Sequence, residues 1–264
     1  MVLAILIIQI GLVEENMLHP LDSFTGDCFD KGEFSYSLPF PLFGLSPGWV
    51  WWGATDWLTA EVDIECLLGG VPSFNFRSPI CSQRGIRPQI AFETMFQYLP
   101  KEINQLEGFS YLNVFRKGVS WYNRINASWR MTRYLRLHLS VGGTYCQYLQ
   151  IENDSQAVYF GKEFHDLFDP AISLGFDWRM SEKASFHITG SYGVTFIYLD
   201  NIPRKYQLCY GLRLAPFIKS RWGFLRNFRV EFSSINFYLP DAKKGVYLIA
   251  PIYPYLYWQW GGRG

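Results

Sequence analysis

The residues of this chain that could do chemistry are charged and histidine side chains that alternate with apolar ones. Acidic groups come early in the chain, arginines in its middle, and groups of both signs later. If they line a narrow passage, acidic and basic walls facing each other would create a transverse field and select small polar or charged solutes. The candidate lining residues are Glu61, Asp63, Glu65, Glu93, Arg124, Arg130, Arg136, His138, Asp177, Arg179, His187, Arg213, Arg229 and Glu231. Charges buried in a passage also tend to pair, so the same residues could plug it, and the sequence favours neither outcome.

Nucleophilic catalysis is a third hypothesis, because serines and histidines recur two residues apart. Ser140 follows His138 at this spacing, and His187 follows Ser185, which places each pair on one face of a strand. Catalysis also needs a group that orients the histidine and an oxyanion site, and the sequence displays neither. The histidines have no metal-ligand spacing. We therefore predict no enzyme activity, no metal site and no cofactor.

The cysteines and the net charge exclude two further classes of site. Five widely spaced cysteines include no Cys-x-x-Cys pair, which argues against zinc and redox motifs. Cys66 and Cys81 flank a predicted loop and could form a disulfide, but the isolated positions of Cys146 and Cys209 favour free thiols. A net charge of +1 with no basic stripe argues against nucleic-acid binding.

The elements that would position these groups are β-strands, because hydrophobicity alternates with a period of two from residue 33 onward. In the segment 184–198, Phe186 and Ile188 share one face, while His187 and Thr189 share the other. Successive side chains of a strand point to opposite faces, so this segment has an apolar face and a polar one. At about 3.3 Å per residue, it is long enough to cross a bilayer, which takes roughly 9–11 residues.

The whole pattern predicts an all-β fold, an antiparallel transmembrane β-barrel of about twelve strands. An even number places both chain ends on one side of a membrane, and merging the two weakest pairs would leave ten strands. Loops are predicted at 69–86 and 151–167, which carry Arg77 and Lys162 and could contact an external partner. The predicted strands are 33–41, 47–54, 57–68, 87–98, 109–116, 119–130, 134–150, 168–180, 184–199, 205–218, 226–239 and 245–260.

The chain divides into an N-terminal region, 1–32, and a barrel domain, 33–264. The apolar run at 1–13 is too short for a membrane-spanning helix, which needs about 18–20 residues. It resembles the apolar core of a secretory signal without a basic start. We interpret 1–32 as a signal remnant with a periplasmic lead-in, and a buried strand or short helix is the alternative at 1–13.

Composition favours a membrane barrel over a soluble one. Charged residues make up 18% of the chain and aromatic residues 19%, with a mean hydropathy of −0.01, which fits apolar residues presented in alternation. The polar face is rich in serine, threonine, glycine and asparagine. Aromatic residues near strand ends suggest girdles at the membrane interfaces. These residues are Trp57, Trp129, Tyr134, Trp178, Tyr198, Tyr206, Tyr238 and Trp258.

One short motif resembles a known superfamily. Gly-Ala-Thr-Asp-Trp-Leu-Thr at 53–59 is similar to the Gly-x-Thr-Asp-x-Leu-Thr turn of bacterial outer-membrane β-barrel proteins, with an aspartate that caps the turn and a glycine that relieves crowding. The resemblance implies a location in the outer membrane of a Gram-negative bacterium. It also implies a periplasmic position for this turn and the outer-membrane assembly machinery as a partner.

Together these observations predict an integral outer-membrane β-barrel embedded in the lipid bilayer. We expect a porin-like transport protein, a passive channel for small polar solutes. The alternative is a plugged barrel with a structural or surface-binding role, and a lipid-modifying barrel enzyme ranks third. The oligomeric state does not follow from the sequence.

Overall fold

The segments of alternating hydrophobicity form a closed antiparallel β-barrel. A computed structural model describes residues 25–39, 48–68, 72–99, 118–148, 167–193, 206–239, 246–249 and 253–260. Its strands are β1 (Phe34–Pro39), β2 (Trp49–Thr55), β3 (Leu58–Asp63), β4 (Ser73–Cys81), β5 (Gln89–Leu99), β6 (Gly118–Arg130), β7 (Leu135–Tyr148), β8 (Leu167–Ser181), β9 (Ala184–Tyr192), β10 (Tyr206–Leu214), β11 (Phe228–Leu239), β12 (Val246–Ile249) and β13 (Tyr253–Trp260). The described residues also form two short helices, α1 (Ile64–Leu68) and α2 (Gly223–Arg226). None of the helices within these ranges is long and apolar enough to cross a membrane.

The barrel has twelve strand positions, although the described residues contain thirteen strand segments. Each strand from β1 to β11 pairs with its neighbours in sequence, and β13 pairs with both β1 and β11, which closes the ring. β12 pairs with residues 236–239 of β11 and β13 with residues 228–233, so the two segments form successive parts of the twelfth strand. The predicted all-β antiparallel barrel of twelve strands is confirmed, and the alternative of ten is wrong.

One strand lies where the sequence predicts a loop. The loop prediction at 69–86 is wrong, because Ser73–Cys81 forms β4. Pro79 obscures this strand in the sequence, because proline cannot donate a hydrogen bond to a neighbouring strand. In the structure it is accommodated at a register shift between Pro79 and Cys81, as expected at a β-bulge. The strand predicted at 109–116 lies outside the described residues, but β5 and β6 on either side of it pair directly with each other.

The connections differ between the two ends of the barrel. One end, called here the short-turn end, carries the connections β2–β3, β6–β7 and β8–β9, each of four residues or fewer, together with β4–β5 and β10–β11. At the opposite end, residues 100–117 join β5 to β6 and residues 149–166 join β7 to β8. The loop predicted at 151–167 therefore falls outside the described residues, except for Leu167 in β8. β1 begins at the short-turn end, so residues 25–33, which precede it, lie at that end.

The two faces of the wall have opposite chemistry. Along β9, buried positions alternate with half-buried ones, and the buried side chains include His187 and Thr189. Around the ring, most buried side chains are polar or charged, whereas Trp121 and Leu174 are 50% and 65% exposed. The polar face therefore points into the barrel and the apolar face points outward, the reverse of a soluble barrel with an apolar core.

Candidate functional site in the barrel lumen

Residues 25–33, called here the N-terminal segment, lie inside the barrel at its short-turn end. Thr25, Asp27, Phe29 and Glu33 are all buried. The segment has no strand pairing, so its backbone groups need other partners. The wall of the barrel supplies them from several strands.

Arg77 of β4 is the central anchor of the N-terminal segment. Its Nη1 donates to the carbonyl oxygens of Thr25 and Asp27, each at 3.1 Å. The Arg77 side chain is only 1% exposed, so both hydrogen bonds are made by a charged donor away from water. Such charge-assisted bonds are stronger than neutral ones.

Three further strands hold the N-terminal segment. The amide of Gly26 donates to Ser128 Oγ on β6 at 2.6 Å, and the amide of Phe29 donates to Thr59 Oγ1 on β3 at 2.7 Å. On β7, Arg136 Nη1 lies 2.7 Å from the Asp27 carboxylate. The N-terminal segment is therefore held by side chains of β3, β4, β6 and β7, and it lies inside the barrel against this part of the wall.

Gly53 of β2 allows the N-terminal segment to approach the wall. A Cβ atom at this position would overlap the carbonyl oxygen of Asp30. Gly53 also accepts a hydrogen bond from the Gly32 amide and donates one to the Glu33 carbonyl, both at 2.9 Å. This glycine belongs to the 53–59 motif, which forms the β2–β3 turn. The cap predicted for its aspartate is made by Thr55 instead, whose Oγ1 accepts from the Trp57 amide at 3.3 Å.

Glu93 of β5 is the centre of a polar cluster in the wall. Its carboxylate lies 3.1 Å from Arg77 Nη2 and 3.8 Å from Arg124 Nε. It also accepts hydrogen bonds from the amides of Asn75 at 2.7 Å and Asn126 at 2.5 Å. Arg77 therefore binds the wall cluster and the N-terminal segment at the same time.

A second cluster lies across the ring on β9, β10 and β11. Arg213 Nε lies 3.4 Å from the Glu231 carboxylate, and His187 Nε2 lies 3.7 Å from it. Ser233 Oγ donates to Glu231 Oε1 at 2.6 Å. Each cluster contains both signs of charge, so the acidic and basic residues of the lumen pair locally and do not form two opposed walls.

Ser128, His138 and Asp177 form a hydrogen-bonded chain on β6, β7 and β8. Ser128 Oγ lies 2.7 Å from His138 Nδ1, and His138 Nε2 lies 2.9 Å from Asp177 Oδ2. A carboxylate can only accept, so Nε2 carries a proton, and a neutral His138 accepts the Ser128 hydroxyl proton through Nδ1. Register explains the meeting, because Ser128 lies opposite His138 in the β6–β7 pair.

This order of groups resembles the relay of serine hydrolases, but here it stabilises the N-terminal segment. Ser128 Oγ already accepts the amide proton of Gly26, and none of the three residues is more than 4% exposed. The serine proposed from sequence as the partner of His138, Ser140, lies opposite Asn126 and Ser173 in the sheet. These three hydrogen-bonded side chains therefore link β6, β7 and β8 to the N-terminal segment.

The structure places the predicted lining residues in four groups. Arg130 is exposed at the short-turn end, and Glu65 lies in α1 with its side chain outside the described part of the chain. The prediction of a strand through Glu65 is wrong, because β3 ends at Asp63. Half-buried positions are Glu61, Arg136 and Arg179. Buried positions are Asp63, Glu93, Arg124, His138, Asp177, His187, Arg213, Arg229 and Glu231.

The predicted girdle residues lie near the ends of strands. Tyr206 begins β10 at the end opposite the short turns. Tyr198 lies outside the described residues, as does the side chain of Tyr238 in β11. The members at the short-turn end are Trp57, Trp129, Tyr134, Trp178 and Trp258.

Sequence reasoning identified Arg136 as a lumen residue but missed Arg77 and Asp27, which are central to the contacts of the N-terminal segment. Arg77 falls in a predicted loop, and Asp27 falls in the predicted lead-in. The alternation of Phe74 and Phe76 with Asn75 and Arg77 is a signal that could have identified β4. No comparable signal exists for Asp27, because its partner on β7 is distant in sequence.

The N-terminal segment also carries one thiol, Cys28. Burial raises the pKa of this thiol to about 12, and the positive charge of Arg77 offsets this only in part. Cys28, Cys81 and Cys209 are all free. Within the described ranges, no group of three or more His, Cys, Asp or Glu side chains is placed to hold a metal ion.

Comparison with known proteins gives no family for the chain. No protein-family model matches it, and no match is found among curated proteins. The case for function therefore rests on the geometry of the wall and lumen.

Proposed function

We propose that this protein is an integral outer-membrane β-barrel of a Gram-negative bacterium that conducts small polar solutes when the N-terminal segment leaves the lumen. The observation that carries the proposal is the set of polar contacts from Arg77, Ser128 and Arg136 to that segment. Its partners would be the lipid bilayer, the solutes and the outer-membrane assembly machinery.

The outer wall supports the placement in a bilayer. Trp121 and Trp129 lie on the outer face of β6, eight residues apart and toward opposite ends of the barrel. At about 3.3 Å per residue and a tilt of about 40°, they are separated by about 20 Å along the barrel axis. This is close to the roughly 25 Å apolar band of membrane barrels. Ile125, midway between them, is exposed.

The polar character of the contacts supports release of the N-terminal segment. Its apolar packing among the buried residues is limited to Phe29 against Trp51, with Trp49 beside them. The other anchors described above are hydrogen bonds and the ion pair between Asp27 and Arg136, which water can replace when the segment leaves. The wall behind it is lined by asparagine, serine, threonine and paired charges, a surface that water wets. Twelve strands also enclose more space than the eight of barrels filled by their own side chains.

A permanently occluded barrel with a structural role is the second candidate. The local pairing of Glu93 with Arg77 and of Glu231 with Arg213 favours it, because buried pairs add rigidity where geometry is satisfied. The two candidates differ in whether the lumen conducts after the segment is removed.

Single-channel recording in planar bilayers separates the two candidates. Full-length protein and a variant lacking residues 1–32 are compared, with heat-modifiable gel migration to show that each is folded. We expect the full-length chain to stay mostly non-conducting and the truncated chain to open in discrete steps. A folded truncated barrel that produces no discrete openings would refute the channel and leave the structural role.

A further inference from the structure

Basic side chains are concentrated on the connections at the short-turn end. They occur on four successive connections, from β4–β5 round to β10–β11. The exposed cations of these connections, together with Arg130 at the end of β6, are called here the basic arc: Arg84, Arg87, Arg130, Arg133, Lys183, Lys219, Arg221 and Arg226. The same connections contain one acidic residue, Glu182, which pairs with Lys219 at 2.8 Å. The arc is therefore strongly positive.

Exposed apolar side chains lie between these cations. Ile86 is 93% exposed and Trp222 is 74% exposed. Phe224 and Met131 are also exposed. Apolar and cationic side chains that alternate along one rim are typical of surfaces at a membrane interface.

Two connections of the basic arc, β4–β5 and β10–β11, pack against the outer wall of the barrel. The ring of Phe224 lies 5.2 Å from that of Trp258, and the ring of Phe217 lies 6.1 Å from that of Phe228. In the β4–β5 connection, the carbonyl of Ile86 accepts a hydrogen bond from Trp129 Nε1 at 3.1 Å. Trp258, Phe228 and Trp129 all belong to the outward face, because their strand neighbours Tyr257, Arg229 and Ser128 are buried inside. The cations of these two connections, Arg84, Arg87, Lys219, Arg221 and Arg226, accordingly lie beside the outer wall, where lipid headgroups would be.

We propose that the basic arc binds anionic phospholipid headgroups of the leaflet beside the short-turn end. Charge complementarity selects the anionic headgroup, and the exposed Trp222 and Ile86 suit the adjoining acyl boundary. A soluble acidic protein is less well matched, because such a partner would dock over the open end and not along the lipid-facing flank. The proposal rests on the bilayer location in the proposed function, but not on conduction.

The test is lipid selectivity of the full-length protein in bilayers. Tryptophan-to-pyrene energy transfer is measured for phosphatidylglycerol and for phosphatidylcholine carrying the same pyrene-labelled acyl chain. An arc variant carries Arg84→Gln, Arg87→Gln, Arg221→Gln and Arg226→Gln. A control with the same change in net charge carries Arg204→Gln, Lys205→Gln, Lys243→Gln and Lys244→Gln, in the stretches of sequence that join β9 to β10 and β11 to β12. Heat-modifiable migration shows that each variant is folded.

We expect the full-length protein to prefer phosphatidylglycerol several-fold at low salt. The arc variant should lose most of this preference and the control should keep it. Equal energy transfer to both lipids from an inserted, folded barrel would refute the binding of anionic headgroups by the basic arc and leave the proposed function intact. An equal loss in both variants would overturn it too, since net charge alone would then explain the preference. Failure of the protein to enter bilayers would instead refute the proposed function.

Discussion

Replacement of Arg77 by glutamine should release the N-terminal segment from the wall. Arg77 donates two hydrogen bonds to carbonyls of that segment, each at 3.1 Å. A hydrogen bond from a charged donor contributes about 1.5–3 kcal/mol, so the two together hold the segment by about 3–6 kcal/mol. With the lower value of about 3 kcal/mol, loss of the two hydrogen bonds raises the released population about 100-fold, because about 1.4 kcal/mol corresponds to a tenfold change in an equilibrium constant.

The native thiol of Cys28 reports this release. While the N-terminal segment is bound, burial raises the pKa of the thiol to about 12, so almost no reactive thiolate exists at pH 8. Release exposes the thiol and returns its pKa towards the ordinary value. The rate of maleimide labelling in a folded barrel with Cys28 as its one cysteine therefore measures the released population. Such a chain carries serine at Cys66, Cys81, Cys146 and Cys209.

The matched control is Arg213→Gln. Arg213 lies on β10, across the ring from β4, and its loss breaks the corresponding pair with Glu231. Both substitutions leave a buried carboxylate with one partner fewer, which costs stability by about 3–5 kcal/mol. We expect Arg77→Gln to accelerate labelling about 100-fold and Arg213→Gln to change it little. Unchanged labelling in a folded Arg77→Gln barrel, or equal acceleration by both, would refute the reasoning.

Three further outcomes are expected. Gly53→Ala places a methyl group against the Asp30 carbonyl and should speed Cys28 labelling at least tenfold. Gly190→Ala is the control, because the added methyl group meets open space, and it should leave the labelling rate unchanged. Equal labelling rates in the two variants would contradict the close approach of Asp30 to Gly53. The pKa of the Cys28 thiol is higher in the bound segment than its ordinary value of 9.0. Above about pH 9 the thiol therefore stays protonated in the bound state but ionises in the released state, so the released fraction should increase as the pH rises further. Channel open probability between pH 8 and 10.5 should then rise more steeply in the full-length chain than in the Cys28→Ser variant. Equal slopes in the two proteins would show that ionisation of the Cys28 thiol does not control release. Ile125→Arg should lower the free energy of unfolding in vesicles by about 2–4 kcal/mol, the cost of an arginine at a bilayer midplane, and a neutral effect in urea titrations would argue against burial in lipid.

The wall of the barrel could be predicted from the sequence because its signal is local. Alternation within β9 separates Phe186 from His187 without knowledge of any other strand. β4 escaped because Pro79 breaks the pattern, and the bulge that accommodates it becomes visible only when β5 is paired beside it. Residues 64–68 also continue the alternation of β3 in sequence, yet the chain turns into α1 there.

The contents of the lumen could not be predicted because they depend on register and on long-range contacts. Glu93 meets Arg77 and Arg124 because these residues lie opposite it on its two neighbouring strands. If either strand pairing shifted by two residues, every side chain would still face the same side of the wall, but Glu93 would lie opposite different residues. The contact between Asp27 and Arg136 spans most of the early barrel sequence, and no periodicity encodes it.

The pairing of lumen charges does not by itself decide between an occluded barrel and a channel. Glu93 with Arg124, and Arg213 with Glu231, pair one strand of the wall with another, so these contacts persist whether or not the N-terminal segment is present. Arg77 and Arg136 differ, because both use the segment as a partner. When the segment is removed, Arg77 keeps its wall partner Glu93, whereas Arg136 loses the Asp27 carboxylate. The wall pairs are therefore common to both candidates, and conduction by the truncated chain decides between them.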